Sequence, residues 1–346
     1  MRSTINVQTV ARFLDAAERY GALELRAECR TWLRVNLLSH MPEHPDRLRK
    51  VPADLLQSLV AAPDLFVMQT EFSVYVLLRL WAFLQLNRHW IGNPQDAVAQ
   101  SQRFFRARAE QNPEGYFLET AEGAKFAQLF RKLRLSHLVH HHRDLEMLVT
   151  DRIVPDSWMH RVYRDLWRTL LLVDQGVDRG AEETADALEE AAFDRRSVRC
   201  GRTLHASGAG QTHMWRWTGF NLGLDLIVTL DAKLNLTLKR NHVSALSPGG
   251  GEHEALLDVR KWRRVAYKVS AACVNEQRQV VQVASSGLKV ATLARNGSHI
   301  MLKLEEGKVK YPLLLAFNFG VTSSVCEDKG NEDEEETLEG QNLVPN

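Results

Sequence analysis

Leu224-Asp225-Leu226-Ile227-Val228-Thr229 and, a few residues on, Leu234-Asn235-Leu236-Thr237-Leu238 carry leucine or valine at every second position. Side chains of an extended chain alternate between its two faces, so each stretch reads as a strand with one buried face. The same period recurs in Val265 to Ala272, Val280 to Ala284, Val290 to Leu293, Ile300 to Leu304 and Leu313 to Phe319. Asn296-Gly297 is a hairpin signal, because both residues tolerate the positive φ of a tight turn. Many short strands separated by turns predict an antiparallel β-sandwich or barrel. Ser247 to Gly251 reads as a flexible loop. The acidic run Glu332-Asp333-Glu334-Glu335-Glu336 repels itself and has little apolar surface to bury, which predicts disorder.

Upstream the period changes to that of helices. Val7, Val10, Phe13, Leu14 and Ala17 form one stripe, stopped by Gly21; Leu25, Cys29, Trp32 and Leu33 form the next. His40 to Pro45 is a loop with two prolines. Pro52 opens a short helix that Pro63 closes. Thr70 is an expected N-cap, with Glu71 well placed for the helix dipole. The helix that follows, Phe72 to Leu86, is apolar nearly all round and belongs in the centre of its domain. Interrupted by Ser73, Arg79 and Gln85, it is too short and too polar for a bilayer. Further stripes are Phe126, Leu129, Phe130 and Leu133, then Trp158, Val162, Leu166 and Leu170 behind Pro155.

The organisation expected is therefore α+β in separate domains. A helical domain spans 1–173, with its opening helix pair in 1–40. An acidic linker with at most one solvated helix covers 174–198. An antiparallel β-sandwich covers 199–322, and a disordered acidic tail 323–346.

The 346 residues are 45% apolar and 25% charged, a globular composition. Lys plus Arg (44) nearly balances Asp plus Glu (43), so net charge exerts no pull toward nucleic acid or an anionic membrane. Cys29, Cys200, Cys273 and Cys326 are scattered, which fits neither a zinc site nor a small disulfide scaffold and suits a reducing compartment. No signal peptide, phosphate loop, nucleophile elbow or dinucleotide fingerprint is visible, so the chain is expected to be no enzyme and to hold no cofactor or metal.

Four constellations carry candidate chemistry. His137, His140, His141 and His142 form a cluster whose helical spacing would put His137 and His141 on one face; with no third ligand in order, a polar surface or loop is expected. Trp215-Arg216-Trp217 puts both rings on one face of a strand, as sandwich core or as a stacking platform for a sugar, a base or a side chain. Asp225 among apolar neighbours reads as a buried hydrogen-bonding residue. Lys239-Arg240-Asn241 and Lys261-Trp262-Arg263-Arg264 read as solvated strand ends able to meet an acidic partner segment.

The residue order from Ile5 to Phe319 resembles the germ cell-less family of BTB–BACK proteins. The resemblance runs through Phe66-Val67-Met68-Gln69, Trp81-Ala82-Phe83-Leu84-Gln85-Leu86, Phe117-Leu118-Glu119-Thr120, Leu129-Phe130-Arg131, Leu133-Arg134 and Val154-Pro155 with Trp158. It continues in Arg199-Cys200-Gly201-Arg202, Lys239-Arg240-Asn241 and, most specifically, Trp215-Arg216-Trp217-Thr218-Gly219-Phe220-Asn221. The resemblance implies a BACK-like helical domain followed by the family's own C-terminal domain. It also implies a substrate adaptor for a cullin-based ubiquitin ligase in germ-cell development, acting in the nucleus and at the nuclear envelope or matrix, with the cytoplasm as the other location. No stretch matches the family's BTB domain, so a fragment or a form lacking that domain is expected, with cullin docking depending on it. Expected partners are a cullin-type scaffold, a protein substrate, and nuclear lamina or transcription-factor proteins. Neither nucleic acid nor membrane insertion is expected. Val10, Phe13 and Leu14 are candidates for the cullin-side helix pair or for ordinary core. Arg216, Lys239 and Arg240 are candidate partner contacts. Two other readings stay open: from the resemblance, a nuclear scaffold without ligase role; from the residues, a carbohydrate-binding or hydrolytic sandwich with Trp215 and Trp217 exposed over a cleft.

Overall fold

A computed structural model describes residues 5–175, 189–219, 224–241 and 262–322. The loop expected at Ser247 to Gly251 and the acidic tail lie outside them, as do Phe220 and Asn221 of the tryptophan block and most of the expected linker.

The fold class is the one expected: helices first, then antiparallel sheets. Helices α1 (Val10–Arg19) and α2 (Leu23–Asn36) form an antiparallel pair, and Gly21 makes the turn between them at φ +66°. The stripes point inward, burying Val10, Leu14, Ala17, Cys29, Trp32 and Leu33. Short α3 (Pro45–Leu48) and α4 (Ala53–Ala61) follow. Helix α5 (Phe72–Leu86) lies in the centre, buried on every side from Phe72 to Leu84 except at Ser73 and Val76 near its start. Around it pack α6 (Ala97–Gln111), α7 (Ala127–Phe130), α8 (His142–Asp151) and α9 (Asp156–Asp174).

Thr70 does not cap α5. It lies in a two-residue strand, β1 (Gln69–Thr70), paired with Cys200. Glu71 takes the cap position with helical backbone and no side-chain cap bond, because its carboxylate is engaged elsewhere.

The last helix, α10 (Glu190–Arg196), falls in the stretch read as a linker with a solvated helix, yet Ala192 and Phe193 are buried. A Cβ on Gly320 would meet the Phe193 ring at 3.4 Å, so this helix seats on a sheet. Strands β2 (Val198–Leu204), β3 (His213–Gly219), β4 (Leu224–Leu230), β5 (Asn235–Asn241), β6 (Trp262–Val274), β7 (Val280–Ala294), β8 (Ser298–Lys303) and β9 (Leu313–Thr322) complete the described residues. They form one sheet of order β1-β2-β9-β6-β7 and a second of order β3-β4-β5-β8, all antiparallel.

Two stretches expected as separate strands, Val280 to Ala284 and Val290 to Leu293, are one 15-residue strand. Gly287 at φ +65° marks a bulge where the register with β6 shifts, which breaks the period-two pattern without ending the strand. Asn296, at φ +58°, makes a turn into β8, but β7 and β8 lie in different sheets, so the turn carries the chain across the sandwich instead of closing the expected hairpin.

The two sheets pack face to face. Leu313, Leu315, Phe317 and Phe319 of β9 and Val265, Tyr267 and Val269 of β6 meet Leu226, Val228, Leu236 and Leu238 of the smaller sheet. A fully buried side chain of this size is worth about 1.5–3 kcal/mol, so this layer stabilises the sandwich. The alternate residues of β9 and β6 face the helices instead: Leu314, Ala316, Ala272 and Val274 pack with Val35 and Phe66. The larger sheet is thus covered on both faces, which is why β2, β6 and β9 are buried almost continuously.

Polar contacts complete this seam. Asn318 Nδ2 donates to the Pro63 carbonyl at 3.0 Å and Asn36 Nδ2 to the Arg278 carbonyl at 3.2 Å. Arg134 donates to the Ser197 carbonyl at 2.6 Å and to the Asp194 carbonyl.

Candidate functional site

The outward face of the smaller sheet is built by alternation. In β3, Trp215 and Trp217 turn inward onto Phe317 and Phe319, with Trp217 5.4 Å from Phe317 and 6.0 Å from Phe319 between ring centroids. Met214 and Arg216 therefore point out. In β4 the inward residues are Leu226, Val228 and Leu230, leaving Asp225, Ile227 and Thr229 on the outer face. In β5 Leu236 and Leu238 are inward, so Thr237, Lys239 and Asn241 are outward.

Register aligns these residues in rows. Met214 stands opposite Thr229, Thr229 opposite Thr237, and Thr237 opposite Ile300. Arg216 stands opposite Ile227, Ile227 opposite Lys239, and Lys239 opposite Ser298. Directly opposed side chains lie about 5 Å apart, so each row is one continuous surface. Met214 is 67% exposed and Ile300 58%.

Asp225 and Asn241, which stand opposite each other in the next row, anchor the second. Arg216 Nε donates to Asp225 Oδ1 at 3.0 Å and Oδ2 at 2.8 Å, and Asn241 Nδ2 donates to Oδ2 at 2.6 Å. Asp225 is the buried hydrogen-bonding residue expected. The arrangement is an ordered patch of two flanking apolar side chains and two cations over a satisfied carboxylate. Chemically it suits a polypeptide with apolar and acidic groups rather than bond-making.

Of the three expected contacts here, Arg216 and Lys239 share this face and Arg240 does not. Arg240 is adjacent to Lys239 in a strand, so it must face the other way. It is 0% exposed and donates to the Leu293 carbonyl at 3.0 Å. A strand-end surface position is corrected to a core position. The sugar-platform reading also loses its basis, since both tryptophan rings pack on the core rather than over a cleft.

In the helical part, Val10 and Leu14 are buried and also line a cavity of about 330 Å³ between α1, α2 and α4. Its rim mixes Asp15, Glu18 and Asp54 with Arg30, Arg47 and Lys50. Phe13 is half-buried against the core and is not part of the cavity wall.

The polar surface or loop expected of the four histidines holds for His141 and His142, which are exposed, and for His140, which lies in a bend, but not for His137. His137 ends a 3₁₀ turn while His142 opens α8, so no single helix aligns them. His137 is buried, its Nε2 2.6 Å from the Arg196 carbonyl, so that nitrogen carries the proton. Burial pushes its pKa down to about 4, against a partial rise from the Arg196 bond. His141 caps α8: its Nδ1 accepts from the Arg143 N–H while Asp144 bonds back to its backbone. Sequence reasoning passed over His40-x-x-Glu43-His44, whose ligating atoms lie within 4.8 Å of one another.

The described cysteines are buried, and burial pushes the Cys29 thiol up to about 11 and the Cys200 thiol higher still. Among the described residues no helix is long and apolar enough to cross a membrane.

No family model matches the chain. Similar proteins do. Protein germ cell-less of Drosophila melanogaster is 31% identical, the alignment covering 92% of this chain and 57% of that protein. Germ cell-less protein-like 1 and germ cell-less protein-like 2 of Homo sapiens are each 28% identical over 92% of this chain, and 59% and 58% of their own lengths. The chain spans less than two thirds of the length of these relatives.

Proposed function

We propose that the chain, which is similar to germ cell-less proteins across the span it shares with them, is a non-enzymatic substrate adaptor of a cullin-based ubiquitin ligase. In this reading the outer face of the smaller sheet holds the target protein. The helical part, with its cavity beside Val10 and Leu14, belongs to the ligase side. The observation that carries the reading is the registered patch of Met214, Arg216, Lys239 and Ile300, presented on a sheet whose other face is fully packed. A rigid scaffold with one open, mixed surface loses little order on binding, which favours recognition over chemistry. Buried thiols with raised pKa values fit the same reading, since they make poor nucleophiles.

The test is co-purification of the chain, with and without an added BTB domain, against an Arg216→Glu/Lys239→Glu/Ile300→Asp variant. Expected is loss of a set of partners in the variant at unchanged folding, and recruitment of a cullin only with the BTB domain. An unchanged partner set would move the docking face elsewhere. Retained partners without any ubiquitin transfer to them would favour a scaffold at the nuclear envelope or in transcription.

A further inference from the structure

We propose that His40, Glu43 and His44 form a site for a divalent transition-metal ion of the zinc class, completed by solvent. The argument starts from the turn itself. After α2 ends at Asn36, the chain makes a single 3₁₀ turn, Met41–Glu43, and enters α3 at Pro45. In such a turn residues three apart eclipse one another, which puts His40 and Glu43 on the same side. His44 follows at once, and its ring stands edge-on to that of His40, 4.6 Å between centroids.

One ligating atom from each of the three residues lies within 4.8 Å of the other two. The closest pair, His40 Nδ1 and Glu43 Oε2, is 2.9 Å apart. Metal bonds of about 2.0 Å in a tetrahedron place ligand atoms about 3.3 Å apart, so this pair needs a shift of only tenths of an ångström. His44 needs a small ring rotation to join them. It makes no side-chain hydrogen bond among the described residues, so that rotation breaks none.

The turn is held independently of any ion. Met41 is buried, the His40 N–H donates to the Asn36 carbonyl at 3.0 Å, and those of Glu43 and His44 donate to the His40 and Met41 carbonyls at 3.1 and 3.0 Å. Pro42 and Pro45 restrict the backbone further. The His40 ring rests edge-on against Trp32 at 6.4 Å, which limits its rotation. Glu43 is exposed and leaves the outer side open to water.

Two imidazoles and one carboxylate suit zinc, cobalt, nickel or copper rather than magnesium or calcium, which prefer oxygen ligands throughout. The Arg278 guanidinium opposes a cation at His40 and the Glu43 carboxylate offsets it. Three protein ligands and an opposing arginine point to micromolar rather than structural-zinc affinity. Two of the histidines near residue 140 are already engaged, His137 on the Arg196 carbonyl and His141 in its cap.

Titration of the full chain with Zn²⁺ by calorimetry, and with Co²⁺ by visible absorption, tests the site. Expected is one equivalent bound with micromolar affinity and a d–d band for cobalt. Glu43→Gln at an exposed position and His44→Ala at a half-buried one should each weaken binding at least about tenfold while the metal-free melting temperature stays within a degree or two. The proposal is overturned if no stoichiometric binding is seen, if both variants bind as the parent does, or if His141→Ala/His142→Ala abolishes binding instead.

Discussion

Arg199 and Glu71, 128 residues apart, form a two-pronged ion pair inside the protein, Nε to Oε2 at 2.8 Å and Nη2 to Oε1 at 2.7 Å, with both side chains at most 1% exposed. Arg199 comes from the first sheet strand of the β part and Glu71 from the start of the central helix. The guanidinium also donates to the Val60 carbonyl at 2.9 Å, and the carboxylate accepts the Arg134 N–H at 2.9 Å. Burial would raise the Glu71 carboxyl, but Arg199 and these hydrogen bonds hold it below the usual carboxylate range.

Glu71→Ala should therefore destabilise the whole protein, by about 3–5 kcal/mol, since it strands a buried cation. Glu71→Met with Arg199→Met should cost less than either single change, because no charge is left buried, though the Val60 carbonyl then loses its donor. Urea unfolding of the three variants gives the comparison. A double variant as unstable as the singles added together would show that the pair is not acting as a unit.

Gly201 tests the same seam by space alone. A Cβ there would sit 2.0 Å from the Val67 carbonyl oxygen and 2.8 Å from that of Leu315, both backbone atoms that cannot rotate away. Gly201→Ala should cost about 1–3 kcal/mol or more. Gly307→Ala, where a Cβ meets nothing within 4 Å and no positive φ is required, should change stability by less than about 0.5 kcal/mol. Thermal melts of the two variants separate packing from a general intolerance of alanine.

How much of this was legible follows from the range of each interaction. The period-two runs and helical stripes depend on neighbours in sequence, and they located the strands and the central helix. The parity of Leu236, Leu238 and Arg240 was also on the page. It assigns Arg240 to the core, but the charge of Lys239-Arg240 drew the reading outward. Nothing local announces that Glu71 meets Arg199, that Thr70 pairs with Cys200 instead of capping a helix, or that Phe193 docks a short helix on the sheet. Those are consequences of the helical part laying itself on one face of the larger sheet. The site face was half legible: alternation chose Arg216, and only register showed that Lys239 lies in its row and Ile300 in the neighbouring one.

His137 carries a pH dependence. Its pKa is about 4 in the fold against 6.5 when exposed. A depressed histidine means that the unfolded chain takes up the proton first. Its contribution is complete above about pH 6.5 and is lost as pH falls toward 4, by roughly 3 kcal/mol in all. His140, also pushed down by burial, adds in the same direction. Unfolding free energies at pH 7, 6 and 5 should fall progressively for the parent, and His137→Gln/His140→Gln should flatten that decline. An equal slope in parent and variant would assign the acid sensitivity to other groups.

The assignment of Arg240 to the core and of Arg216 and Lys239 to the outer face separates two kinds of variant that a binding assay alone would confuse. Arg240→Glu puts an anion where a fully buried guanidinium donates to the Leu293 carbonyl, so it should cost more than about 2 kcal/mol and weaken binding only by loosening the sandwich. Lys239→Glu alters a partly exposed side chain and should stay within about 0.5 kcal/mol of the parent. Arg216→Glu is intermediate, because it places a carboxylate beside Asp225, which also holds Asn241. Replacing Asp225 by Asn in the same chain removes that repulsion. If Arg216→Glu/Asp225→Asn regains stability but not partner binding, the arginine contacts the partner directly. If both return together, Arg216 serves the sheet alone and the contact belongs to Met214, Lys239 and Ile300.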